Sequence, residues 1–190
     1  MFGTNEIIGK KYFKDKPADS LFVTSMFFTL QGEGPYAGLP ALFIRLAKCN
    51  LDCSFCDTFF DDGDWMTFDE IEKRMYNSIT EFWTTKNKTV PLWAVPGADV
   101  NTRLATYPNI VLVMTGGEPL LQDNISAFMQ QQLSKFKAVQ VESNGILSTD
   151  VPEGVTLVCS PKCMEKEGKA VKYFAPSKTI LQRADCLKFV

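Results

Sequence analysis

The chain has 190 residues, a formal net charge of −2, 45% hydrophobic and 22% charged residues, and no histidine. That size and apolar share suit a single domain spanning residues 1–190 with a sizeable core, and the scattered, nearly balanced charge excludes a dedicated nucleic-acid-binding surface from expectation. No apolar run approaches the roughly 18 residues of a membrane span and no leader pattern opens the sequence, so no membrane association is expected; in a cytoplasmic setting the six cysteines read as ligands and buried thiols rather than disulfides.

Taken in chain order, residues 41–47 (Ala-Leu-Phe-Ile-Arg-Leu-Ala) form the first short, mostly apolar run expected of a buried strand. Thr67-Phe-Asp-Glu70 reads as a capping box, and Phe68, Ile71, Met75, Ile79 and Phe82 follow at steps of three and four, one apolar helix face. Residues 84–108, with Pro91, Pro96, Gly97 and Pro108, have no clean period and are expected to be an irregular insertion. A strand is expected at 110–114, a helix from about 122 to 136 with Ile125, Met129, Leu133 and Phe136 on one stripe, and further strands at 138–141 and 155–159. The alternation of strand and helix predicts an α/β fold with a parallel sheet covered on both faces. The sequence ends on Leu187-Lys-Phe-Val190, a strand-like run.

The chemistry-bearing residues follow strand ends. Cys49, Cys53 and Cys56 have the spacing C-x3-C-x2-C directly after the strand at 41–47; Thr115-Gly-Gly-Glu-Pro119, Glu142-Ser-Asn-Gly145 and Ser160-Pro-Lys162 follow the next three. Loops at the carboxyl ends of parallel strands share one rim, where α/β sheets bind ligands. A four-iron, four-sulfur cluster normally takes four cysteines, so three local thiolates leave one iron open to a small molecule. A closed zinc site is the competing reading, and without histidine its fourth ligand would be Cys159, Cys163 or Cys186. Paired glycines are also common turn formers, and Gly116 and Gly117 taken alone decide nothing.

Together these motifs resemble the radical S-adenosylmethionine (SAM) superfamily. Phe28-Thr-Leu-Gln-Gly-Glu-Gly34, Phe43-Ile-Arg45, Cys56-Asp-Thr58, Thr115 before the glycines, and Ser160-Pro-Lys162 are similar to the 7-carboxy-7-deazaguanine synthase family of queuosine and deazapurine biosynthesis, over most of residues 24–190. The resemblance implies a partial (β/α) barrel of the radical SAM type, a 4Fe-4S cluster on Cys49, Cys53 and Cys56, SAM and Mg²⁺ as cofactors, and a lyase that turns 6-carboxy-5,6,7,8-tetrahydropterin into 7-carboxy-7-deazaguanine with loss of ammonia. It implies a pterin substrate held by Leu30, Gln31, Gly32, Glu33, Arg45 and Thr115. SAM is expected against Phe55, Cys56, Asp57, Gly116, Gly117, Glu142, Asn144, Ser160, Pro161 and Lys162, and Mg²⁺ at Thr58. An electron donor such as a flavodoxin and a homodimeric assembly are implied as partners.

Each role has a plainer competitor. Gly32 and Gly34 could be turn residues, Thr58 a cap, Lys162 a surface lysine and Phe55 a shield for the cluster. Arg45 lies inside an apolar strand, where a cation needs a carboxylate partner; a substrate carboxylate or an internal ion pair would serve, and the planar fork suits the former. Asn144 departs from the small hydroxyl residue common at its place, and members of the family commonly continue past this chain's last strand into further elements and a substrate loop. Cys159 and Cys186 are expected to be buried small hydrophobes. Another small radical SAM enzyme, such as a glycyl-radical activase, is the alternative activity, and a non-catalytic iron–sulfur or zinc module the alternative class.

Overall fold

The computed structural model describes residues 5–13, 17–87 and 105–189. Nine strands and three helices follow in the order β1 (Ser20–Leu30), β2 (Pro40–Leu46), β3 (Asp64–Thr67), α1 (Phe68–Asn87), β4 (Tyr107–Gly116), α2 (Ile125–Gln132), β5 (Phe136–Ser143), β6 (Thr156–Cys159), β7 (Lys162–Lys166), β8 (Lys169–Phe174), α3 (Lys178–Arg183) and β9 (Cys186–Leu187). Seven strands make one sheet in the order β3-β1-β2-β4-β5-β6-β9, and β7 pairs with β8 in a separate hairpin. From β2 to β9 the neighbours run parallel, whereas β1 pairs antiparallel with both β2 and β3. The architecture is thus mixed α/β with a mostly parallel central sheet, and no closed barrel forms among the described residues.

The helix α1 starts where its sequence says. Glu70 accepts from the Thr67 backbone N–H at 2.7 Å while the Thr67 hydroxyl accepts from the Glu70 N–H at 3.3 Å, the reciprocal pair of a capping box. These bonds to the charged form hold the Glu70 carboxyl below its usual range. A depressed folded pKa means its contribution is present above the unfolded pKa and lost as pH falls through the folded one. Glu70→Gln should therefore flatten the acid limb of the stability-against-pH curve measured by urea denaturation, by lowering stability at pH 7 while leaving it nearly unchanged at low pH, where Glu70 is already protonated.

The strands expected at 41–47, 110–114, 138–141 and 155–159 are present as β2, β4, β5 and β6, mostly longer or shifted by a residue or two. The helix expected at 122–136 shortens to α2, because Phe136 already belongs to β5. Residues 84–87 of the expected insertion continue α1, Tyr107 and Pro108 open β4, and residues 88–104 lie outside the described residues. The terminal strand is only Cys186–Leu187. Four features had no expectation: β1, β3, the β7–β8 hairpin and α3. The strand β1, at the antiparallel end of the sheet, is buried only near its start, half-buried along most of its length and exposed at its last two residues, so it lacks the continuous buried run of a doubly covered strand.

Coverage of the sheet is the main correction. Residues of all three helices join Leu42, Ile44, Leu46, Leu112, Met114, Val139, Val141 and Leu157 in one core, so the helices lie on one face. The alternate positions point the other way: Ala41, Val111 and Val113 pack there with Tyr36, Leu39, Phe43 and Ala138. On that second face the apolar residues sit toward the strand starts. Register then places Arg45 beside Thr115, Gln140 beside Thr156 and Glu142 beside Val158 toward the strand ends, with Met114 beside Val141 bringing Thr115 level with Glu142. A period-two strand whose outer face changes from apolar to polar along its length builds a floor under the rim.

Candidate active site

The rim encloses a cleft of about 280 Å³ whose walls include Glu33, Cys49, Cys53, Phe55, Cys56, Asp57, Thr58, Thr115, Gly116, Gly117, Glu142, Asn144, Ser160 and Lys162. Residues from the 31–34 turn, the cysteine loop and the ends of β4, β5 and β6 therefore meet as the strand-end argument requires. Arg45 does not itself line the cleft but sits behind Thr58, donating through Nη1 to the Thr58 hydroxyl at 3.1 Å. Gln31 is buried at 2% exposure beneath its turn, whereas Leu30 is 61% exposed and Gly32 is exposed. Leu30, Gln31, Gly32, Arg45 and Pro161 do not line the cleft.

The cysteine loop is held at both ends. Its first hinge is Lys48, with φ of 72°, whose backbone N–H donates to Phe60 O at 2.7 Å and whose ammonium meets Asp61 at 2.6 Å. Burial alone would lower the Lys48 pKa, but Asp61, Tyr12 and Glu6 overcome it and the group stays above its usual range. Within the loop Cys49 is buried, Cys53 half-buried and Cys56 exposed. Burial pushes the Cys49 thiol up to about 12, so the metal-free protein carries it protonated and a metal must displace that proton. Burial also raises Cys53, opposed by the positive charge of Lys162.

Three thiols on one wall fit an iron–sulfur cluster, in which each cysteine takes a separate iron. A closed single-ion site needs its ligands gathered round one point; among the described residues no three Cys, Asp or Glu side chains are so gathered. Cys159 is fully buried in the helix-side core, as expected of a small hydrophobe. Cys186, by contrast, is only half-buried, because β9 is the sheet's last strand and has no further neighbour.

The glycine loop shows why its residues are glycines. Gly117 N–H donates to Leu46 O at 3.0 Å and Glu118 N–H to Lys48 O at 2.9 Å, continuing the pairing of β2 into the loop. A Cβ on Gly116 would sit 2.2 Å from Leu46 O, and one on Gly117 2.1 Å from Lys48 O. Close backbone approach is thus one requirement at both positions, and it also leaves their cleft side bare of side chains.

Two groups without an assigned role in the sequence organise the rest. Glu118 is wholly buried; its carboxylate accepts from Leu120 N–H at 3.0 Å, Ser143 Oγ at 2.8 Å and Asn144 N–H at 2.7 Å, locking the glycine loop to the end of β5. Burial raises its pKa against those bonds. Asn144 in turn donates to Asn50 Oδ1 at 2.8 Å, so its side chain braces the cysteine loop. Lys188, just past β9, bridges Glu33 and Glu142. The motif marked Glu118 as part of a loop, but nothing local marked Lys188, 46 residues from Glu142.

Arg45 answers the question its strand posed. Its guanidinium lies 5.3 Å from the centre of the Phe27 ring and touches Thr58, yet its buried Nε has no hydrogen-bond partner, and no carboxylate pairs with it among the described residues. An internal ion pair is not what holds it. Thr58 continues the chain by donating to Asp57 at 3.0 Å. Lys162 is not a free surface lysine; it donates to Ser160 Oγ at 2.8 Å at the cleft wall.

No family model matches the chain. Similar proteins include the 7-carboxy-7-deazaguanine synthase of Rickettsia prowazekii, 35% identical over 190 residues that cover 100% of this chain and 68% of that relative. Those of Rhodospirillum rubrum and Bacteroides thetaiotaomicron are each 36% identical, with matches covering 85% and 74% of this chain but only 57% and 60% of the relatives. The chain thus spans less than two thirds of the length of two of these three. Among solved structures, the fold is similar to QueE from Escherichia coli, with a TM-score of 0.58 at 20% identity over 95% of this chain and 74% of that one.

Proposed function

The chain belongs to the 7-carboxy-7-deazaguanine synthase family, and from that membership we propose that it is a radical SAM lyase converting 6-carboxy-5,6,7,8-tetrahydropterin to 7-carboxy-7-deazaguanine with loss of ammonia. The observation that carries the substrate reading is Arg45: a guanidinium held directly behind the cleft residue Thr58, its buried Nε unpartnered and no carboxylate paired with it among the described residues, calls for an external carboxylate. Cys49, Cys53 and Cys56 would hold a 4Fe-4S cluster which, with SAM on its open iron, supplies the 5′-deoxyadenosyl radical and recovers SAM after turnover.

The chain's own residues bind and orient. Arg45 takes the substrate carboxylate, and Thr58, fixed between Arg45 and Asp57, would help hold a Mg²⁺ through its hydroxyl oxygen, the metal supplying charge neutralisation at the substrate. Glu33 presents its carboxylate to the donor-rich edge of the pterin from the cleft wall that Thr115 shares, and buried Gln31 supports that turn from beneath through the Glu33 N–H and Glu142. Gly116 and Gly117 admit SAM close to the backbone, while Phe55, Asp57, Asn144, Ser160 and Lys162 border it. Glu142 enters this set differently from its expected role as a direct SAM contact: Gln31, Gln140 and Lys188 already occupy its carboxylate, and it acts as an anchor. No helix among the described residues is long and apolar enough to cross a membrane; a cytoplasmic homodimer reduced by a flavodoxin-like donor accords with the family.

The test is anaerobic reconstitution with iron and sulfide, reduction, and addition of the carboxytetrahydropterin, SAM and Mg²⁺. Mass spectrometry should find 7-carboxy-7-deazaguanine and free ammonia, with product exceeding SAM consumed. SAM cleavage without any deazapurine would overturn the substrate assignment.

A further inference from the structure

Glu33 is the exposed member of the turn proposed to read the pterin, with its side chain 55% exposed. An exposed glutamate samples several rotamers and presents no fixed acceptor. In this chain it is tied from across the sheet: Lys188 Nζ meets one oxygen of Glu33 and stands 3.2 Å from Glu142 Oε2. Among the described residues Lys188 is the one side chain that pairs with Glu33.

The tie has a rigid base. The Lys188 backbone N–H donates to Cys159 O at 2.8 Å, extending the pairing of β9 with β6. Glu142 stands on β5, its other oxygen accepting from Gln31 Nε2 at 3.2 Å and Gln140 Nε2 at 3.1 Å. Gln31 in turn accepts from the Glu33 N–H at 3.2 Å. Backbone and side chain of Glu33 are thus both referred to β5 and β9, which are separated from the turn's own strand by most of the sheet. Lys188 contacts Glu33 through Oε2, which leaves Oε1 available to a ligand in the cleft that Lys188 also lines.

We propose that Lys188 is a positioning and specificity-determining residue: by bridging Glu33 to Glu142 it holds the Glu33 carboxylate as a fixed acceptor for a heterocycle whose edge carries an amino group. The inference rests on the proposed pterin reading of the turn. Its value lies in discrimination rather than stability, since ion pairs this exposed contribute little to folding. A fixed carboxylate that accepts from the amino group rejects the oxo analogue, because two acceptors then face each other. With the lysine gone, Glu33 can turn toward water and that rejection weakens.

The experiment compares pterin-6-carboxylate with lumazine-6-carboxylate, in which an oxo group replaces the amino group, by fluorescence titration of the metal-free protein. Wild type should prefer the pterin by about tenfold or more. Lys188→Met keeps the aliphatic stem and should bring the preference within about twofold, Lys188→Arg should restore most of it, and Glu33→Gln should lose it, all at closely similar melting temperatures. A Lys188→Met protein that discriminates as well as wild type overturns this inference and leaves the pterin reading standing. A wild type that binds neither compound, or both equally, overturns the pterin reading and this inference with it. A Lys188→Met variant too unstable to titrate shifts the decision to Lys188→Arg and Glu33→Gln: loss of discrimination in Glu33→Gln with retention in Lys188→Arg supports the role, and any other pattern overturns it.

Discussion

Replacing Cys49, Cys53 or Cys56 with Ala should leave the protein unable to retain a cluster or cleave SAM, whereas Cys163→Ala should keep both. The three thiols share one loop and one wall of the cleft, and the loop's base is fixed by Lys48, Asp61 and Phe60, so removing one ligand leaves no neighbour positioned to replace it. Cys163 is the competitor worth testing, because it is half-buried at the start of the β7–β8 hairpin and close enough to Cys53 for their charges to interact. Iron content after desalting and the yield of 5′-deoxyadenosine are the measurements. Iron retained by Cys53→Ala but lost from Cys163→Ala would reassign the ligand set. Each cluster variant should fold as the metal-free wild type does, since none of the three belongs to the helix-side core.

Arg45→Lys should lower kcat/KM by roughly a hundredfold while leaving the cluster spectrum unchanged, a loss of about 2.8 kcal/mol at about 1.4 kcal/mol per tenfold. Lysine keeps the charge but has neither the bidentate fork nor the flat face that lies over Phe27. The Thr58 hydroxyl would lose its donor, so the magnesium requirement should rise in the same variant. Wild-type turnover by Arg45→Lys would remove the carboxylate reading and return Arg45 to a structural role.

The sequence was most informative where chemistry and local geometry coincide. The C-x3-C-x2-C spacing, the Gly-Gly-Glu-Pro loop and the strand-end placement of every motif were legible because each depends on a few adjacent residues, and α1 announced itself through Thr67, Glu70 and an apolar stripe. Other elements carried too weak a local signal. The strand β1 is mostly half-buried, and the β7–β8 hairpin is largely exposed, meeting the cysteine loop at Ser54 and Glu165 without an apolar run of its own.

The sequence by itself determined the α/β class, the cluster of functional loops at one rim and the family resemblance that the relatives bear out. Tertiary structure alone decided that the described helices cover one face of the sheet and that no carboxylate pairs with Arg45 among the described residues. It also decided that Glu118 locks two loops together and that Lys188 reaches Glu33 across 155 residues of chain. The physical reason is range. Periodicity and motif spacing report what neighbouring residues must do, whereas the pairing of a buried or bridging charge depends on which strand ends the sheet order brings side by side.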